Sequence, residues 1–218
     1  MTTCSTRLAF ASLVLGSLAL AAACGGDDEN DNTDAAASID APSGGPDAAG
    51  NPDAAAAPSC TDYCTTIAAN CTAANLMYAN TNECMASCMR FTPGTVGQTS
   101  GNTLGCRLYH AGNAAGSQQN ADTHCRHGGP GGDGVCGANC EGFCTIVLGS
   151  CTGGNMQFGG NMTTCMNECA AFNTSPIYVA GANGNNFACR LYHATAAANN
   201  PGTHCSHVAT NSPVCVTN

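Results

Sequence analysis

The chain has 218 residues, a net charge of −9, 9% charged residues and 18 cysteines, with five arginines and no lysine. This balance offers no basic footprint for nucleic acid and no cationic stripe for anionic lipid head groups. Cysteines at this density need an oxidising compartment to persist as bridges, which excludes an ordinary cytosolic enzyme. In chain order, residues 1–7 carry one cation, Arg7, and residues 8–23 form an unbroken run of apolar and small side chains. That run is too short and too rich in Ala for a membrane span and reads as the core of a signal peptide.

The run closes as Leu20-Ala21-Ala22-Ala23-Cys24, which resembles a bacterial lipobox with its Leu one place early. The resemblance implies removal of residues 1–23 and lipid on the thioether and amine of Cys24. Acyl chains such as palmitate would anchor the chain firmly, since each buried methylene contributes ~0.8 kcal/mol. Gly25, rather than Asp, follows Cys24. The resemblance thereby implies an outer-membrane lipoprotein facing the periplasm or the cell exterior. Its membrane contact is the lipid, and any further partner would be an envelope or extracellular protein. Residues 25–59 hold one large apolar residue, Ile39, four prolines and eight of the fourteen acids. Nothing there offsets the entropy of ordering, so residues 24–59 are expected to be a disordered acidic tether, ~30–35 Å long as a coil.

Beyond the tether the chain repeats itself. Cysteines 60, 64, 71, 84, 88, 106, 125 and 136 are matched by 140, 144, 151, 165, 169, 189, 205 and 215 at offsets of 79 to 83. The word Cys106-Arg107-Leu108-Tyr109-His110-Ala111 recurs at 189–194, and Thr123-His124-Cys125-x-His127 recurs at 203–207. The expected units are repeat one, 60–137, and repeat two, 138–218. Each is too small and too poor in large apolar residues to rely on its core alone, and four bridges per copy would supply the shortfall. The expected class is mainly α, small and disulfide-rich: two tandem helical-hairpin modules with irregular Gly/Asn-rich loops.

A Cys at i and another at i+4 share one helix face. Two antiparallel helices so marked form a nested ladder: Cys60–Cys88 with Cys64–Cys84, and Cys140–Cys169 with Cys144–Cys165. This resembles the twin Cys-x3-Cys helical hairpin of small disulfide peptides. A third helix is expected from Asn102 or Thr103 through His110, and residues 112–122 and 128–134 read as irregular loops. The remaining four cysteines of each copy, Cys71, Cys106, Cys125 and Cys136 in the first, allow three pairings. The preferred one is Cys71–Cys106 with Cys125–Cys136, and in copy two Cys151–Cys189 with Cys205–Cys215.

All six histidines lie at equivalent places in the repeats: His110, His124 and His127, then His193, His204 and His207. Three neutral imidazoles without a free thiolate suit Zn or Cu(II). The competing reading gives His110 to a helix C-terminus and His124 and His127 to loop hydrogen bonds. Arg107 and Arg190 are expected on helix-end or loop carbonyls, or on an acid such as Asp122. No Cys-x-x-Cys-His, no Gly-x-Ser-x-Gly and no repeated acid pair occurs, so neither c-type haem, an esterase elbow nor glycosidase chemistry is supported. The expectation is a non-catalytic envelope lipoprotein without cofactor, presenting two stapled modules for binding or structural roles. The alternative is a Cu- or Zn-binding, or redox-linked, protein using the three histidines of each repeat. Because the acids sit mostly in the tether, stability is expected to respond less to acid than to reductant.

Overall fold

The structure, a computed structural model, describes residues 57–217. The expected signal peptide, Cys24 and residues 24–56 of the tether lie outside this range. Among the described residues the chain is helical without strands, and an isolated parallel bridge joins Thr92 to Thr103.

Most helices begin where a short polar side chain takes up a free N–H. Ser59 Oγ accepts from Asp62 N at the start of α1 (Cys60–Asn70), and Asn80 Oδ1 accepts from Glu83 N at the start of α2 (Thr81–Cys88). Thr103 Oγ1 accepts from Cys106 N for α3 (Leu104–Asn113), and Ser117 Oγ accepts from Asn120 N for α4 (Gln118–Gly128). Such caps typically contribute about 1 kcal/mol each. Repeat two supplies α5 (Asn139–Ser150), α6 (Met162–Cys169), α7 (Phe187–Asn199) and α8 (Pro201–His204), followed by a 3-10 turn over Cys205–Val208. No described helix is long and apolar enough to cross a membrane.

In each repeat the first two helices are joined by two bridges, Cys60–Cys88 with Cys64–Cys84 and Cys140–Cys169 with Cys144–Cys165. Two other expectations are corrected. The irregular loop read over 112–122 gives way at Gln118 to helix α4. Its buried face is Ala121, Cys125 and Gly128, at helical spacing but all small, and the rest is polar. An apolar periodicity made of such residues is nearly silent.

The second correction follows from the first. Helix α4 packs along α3 and returns to α1. It thereby carries Cys125 to Cys71, just past the end of α1, and the chain after α4 folds back to bring Cys136 to Cys106. The bridges are therefore Cys71–Cys125 and Cys106–Cys136, not Cys71–Cys106 and Cys125–Cys136. Repeat two has Cys151–Cys205 and Cys189–Cys215, not Cys151–Cys189 and Cys205–Cys215.

All eight of these bridges stay within a repeat, yet the repeats share one apolar core. Phe143 is fully buried and meets Phe158, Phe172 and Phe187 edge to face. Helix α2 of repeat one packs on α7 of repeat two. The loop before α7 crosses to repeat one, where Tyr178 Oη donates to the Met77 carbonyl at 2.9 Å and Ala180 N donates to the Leu76 carbonyl at 2.7 Å.

Candidate metal centre

The repeated hexapeptide divides its work among three side chains. Cys106, in the first turn of α3, is held to Cys136. Arg107 is fully buried over the Phe91 ring at 3.7 Å. It donates from Nε to the Gly129 carbonyl at 3.2 Å, from Nη2 to the Pro130 carbonyl at 3.3 Å and from Nη1 to the Thr103 carbonyl at 3.3 Å. Arg190 repeats the arrangement over Phe172, donating to the carbonyls of Ala209, Thr210 and Asn186. Both arginines thus serve loop carbonyls, and they tie down the segments that follow His127 and His207. Asp122 is not the partner of Arg107: it accepts from Asn75 and Gln118.

With those segments held, the third side chain, His110, meets the histidines of α4. His110 Nδ1 and His124 Nδ1 lie 3.0 Å apart. The His127 ring centroid is 5.1 Å from that of His110 and 5.8 Å from that of His124, and its Nδ1 is buried without a partner. In repeat two, His193 Nδ1 lies 3.2 Å from His204 Nδ1 and 3.3 Å from His207 Nδ1. Within each triplet the nitrogen atoms nearest one another all fall within 4.8 Å. Two nitrogens at about 2.0–2.1 Å from a tetrahedral ion stand ~3.3 Å apart, so these separations suit a shared ion. The sulfurs of Cys106 and Cys136 also lie beside His110, and those of Cys189 and Cys215 beside His193, but each pair is bonded to itself. The donor set is therefore nitrogen only.

The electrostatics agree with that use. Burial lowers the pKa of His110, His127, His204 and His207 and drives His193 down to about 4. Neighbouring imidazoles add to the effect at His110, His127, His193 and His207. These rings are accordingly neutral at neutral pH, with one lone pair each to offer. His110 Nε2 and the Thr99 carbonyl are 3.1 Å apart, which places the ring proton on Nε2 and leaves Nδ1 as the free donor of electrons. One proton can join two facing Nδ1 atoms, but His193 Nδ1 faces two others and His127 Nδ1 is buried without a partner, and a cation would serve all three rings of each cluster.

The three predicted histidines of each copy are thus brought together. Thr99 went unseen in the sequence, because its contribution is a backbone carbonyl and its side chain carries no signal. Tyr109 and Tyr192 sit against His110 and His193 with centroids 5.1 and 5.0 Å apart.

Fold and site together define a small helical, disulfide-stapled protein with a three-histidine cluster in each of two repeats. Residues 33–141, half of the chain, match the BfoA family C-terminal domain, and the chain belongs to that family. The match covers all of repeat one. No curated protein and no solved structure matches the chain.

Proposed function

We propose that this protein is a non-catalytic, lipid-anchored envelope protein whose two repeats each bind one transition-metal ion, Zn(II) or Cu(II), on three imidazoles. The observation that carries the reading is the recurrence of one cluster: the same three histidine positions converge in both repeats. A purely structural role for the histidines would leave each ring its own carbonyl or water. It gives no reason for the ring nitrogens of three histidines to gather within 4.8 Å of one another in both repeats. Nitrogen-only donors fit Zn(II) and Cu(II), and three protein ligands leave a position for water or an exchanging ligand. Because the fold is already held by disulfides, the ion is cargo or ligand rather than scaffold.

Elemental analysis of the oxidised chain tests this. The expected result is near two ions per chain, falling to one when His193, His204 and His207 are replaced by Ala. Metal uptake unaffected by the histidines would sink the reading. The envelope part rests on the lipobox resemblance around Cys24 and on the density of bridges. Its test is the intact mass of membrane-extracted protein, which should be that of a lipidated chain beginning at Cys24. An unlipidated mass, or membrane attachment that survives Cys24→Ser, would remove it.

A further inference from the structure

We propose that the two metal centres are unequal: repeat one holds its ion tightly and repeat two exchanges it. The inference rests on the metal reading above. Its basis is that the loop bracing His110 in repeat one has a counterpart in repeat two that is used to dock the repeats together.

In repeat one the loop between α2 and α3 lies directly on α3. Leu104 N donates to the Thr92 carbonyl at 2.8 Å and Gly105 N to the Pro93 carbonyl at 2.9 Å. A Cβ on Gly105 would stand 2.0 Å from the Thr95 carbonyl oxygen, so this approach requires glycine. Gln98 braces the far side, its Oε1 accepting from Thr95 N and its Nε2 donating to the Ser100 carbonyl. Gly101, at φ +89°, then turns the chain so that its N–H donates to Val135. The outcome is the Thr99 carbonyl seated against His110 Nε2.

Repeat two begins in the same way, with Phe187 N donating to the Asn173 carbonyl at 2.7 Å. At the place of Gly105 it has Ala188, which is fully buried. The extra methyl forbids the close approach seen in repeat one. The loop instead runs across to repeat one through Tyr178 and Ala180. Among the described residues no protein atom bonds to His193 Nε2; both of the ring's hydrogen-bond contacts are to Nδ1. A carbonyl on the second ring nitrogen of a metal-bound His fixes its tautomer, aims the ring and makes it a stronger donor. Its loss typically lowers metal affinity about 10- to 100-fold. One centre is built for retention and the other for release.

The test is Zn(II) competition titration of the full, oxidised chain against a chromophoric chelator. It is run on the wild type and on two triple His→Ala variants, one per repeat. Two steps separated by about 10- to 100-fold are expected, the tighter one lost with His110, His124 and His127. Gly105→Ala is expected to bring repeat one down to the affinity of repeat two and leave repeat two unchanged. Gln98→Ala, at a half-buried position, is the milder variant and should move repeat one in the same direction. Nitrogen NMR of the Zn(II)-loaded chain supplies a readout that stability alone would not move: a slowly exchanging Nε2 proton on His110 and none on His193. Equal histidine-dependent affinities, a tighter repeat two, or a protected ring proton on His193 overturn this inference and leave the metal reading standing. A chain that binds no Zn(II) or Cu(II) through its histidines ends both.

Discussion

Arg107 donates from Nε to the carbonyl of Gly129 at 3.2 Å, and so couples the helix that carries His110 to the segment that follows His127. Arg190 makes the same bond to Ala209, beyond His207, at 3.2 Å. A guanidinium is suited to this task because its planar donors serve several carbonyls in fixed directions, which an ammonium on a flexible stem does not. The Arg of the repeated hexapeptide is therefore a positioning residue for the histidine cluster.

Arg107→Met should leave the carbonyls of Gly129 and Pro130 without a donor in a buried setting, while the Thr103 carbonyl keeps the backbone N–H of residue 107. An unpaired buried group costs about 1–3 kcal/mol, so a total loss of about 3 kcal/mol or more is expected. For a chain of this size that corresponds to a melting midpoint lower by roughly 6–12 °C. Metal bound at repeat one should fall while repeat two keeps its ion. Calorimetry and metal stoichiometry on one preparation check both.

The disulfides should differ in weight according to the loops they close. Cys71–Cys125 spans 54 residues and Cys64–Cys84 spans 20. On chain entropy alone, replacing the first pair by Ala costs about 1 kcal/mol more than replacing the second. Urea melts of the two double variants measure this. In strong reductant the whole chain should lose cooperative melting, and an unchanged midpoint would mean that the shared core suffices alone.

Acid should destabilise the repeats, contrary to what the placement of the acids in the tether suggests. The lowered histidines bind protons more weakly folded than unfolded. Their contribution is present above the ordinary value of 6.5 and is lost as pH falls, for His193 down to about 4. Melting midpoints should therefore drop between pH 7 and pH 4, and by less in the chain lacking His193, His204 and His207. Zn(II) should steepen the dependence, since protons and metal compete for the same nitrogen atoms.

Glu83 shows the opposite sign. It is 7% exposed, where α2 meets α7, and burial raises its pKa from the ordinary 4.5. The folded state holds that proton more tightly, so this group favours folding below 4.5 and opposes it as pH rises through the folded value. Thr195 Oγ1 donates to the Tyr192 carbonyl at 2.8 Å and stands 3.5 Å from Glu83 Oε2. The amide of Glu83→Gln can donate to that hydroxyl oxygen without carrying a charge. The variant should melt higher than wild type at pH 7 and equally at pH 4; a lower midpoint at pH 7 would show that the carboxylate is stabilising.

The sequence by itself determined the repeat layout, the Cys-x3-Cys hairpins, the start of α3 at Asn102 or Thr103 and the equivalence of the six histidines. Each of these is a matter of spacing or of a local side-chain cap. Tertiary structure decided the rest. Helix α4 buries only small residues, so it became visible where it packs on α3 and α1, and with it came the partners of Cys71 and Cys106. The meeting of His110 with His124 and His127 depended on that same helix. The Thr99 carbonyl depended on how closely a loop can approach Gly105, and its loss at Ala188 on a single methyl group. Periodicity reports a buried stripe only when the buried side chains are large, and a backbone carbonyl acquires a role only when another segment is folded against it.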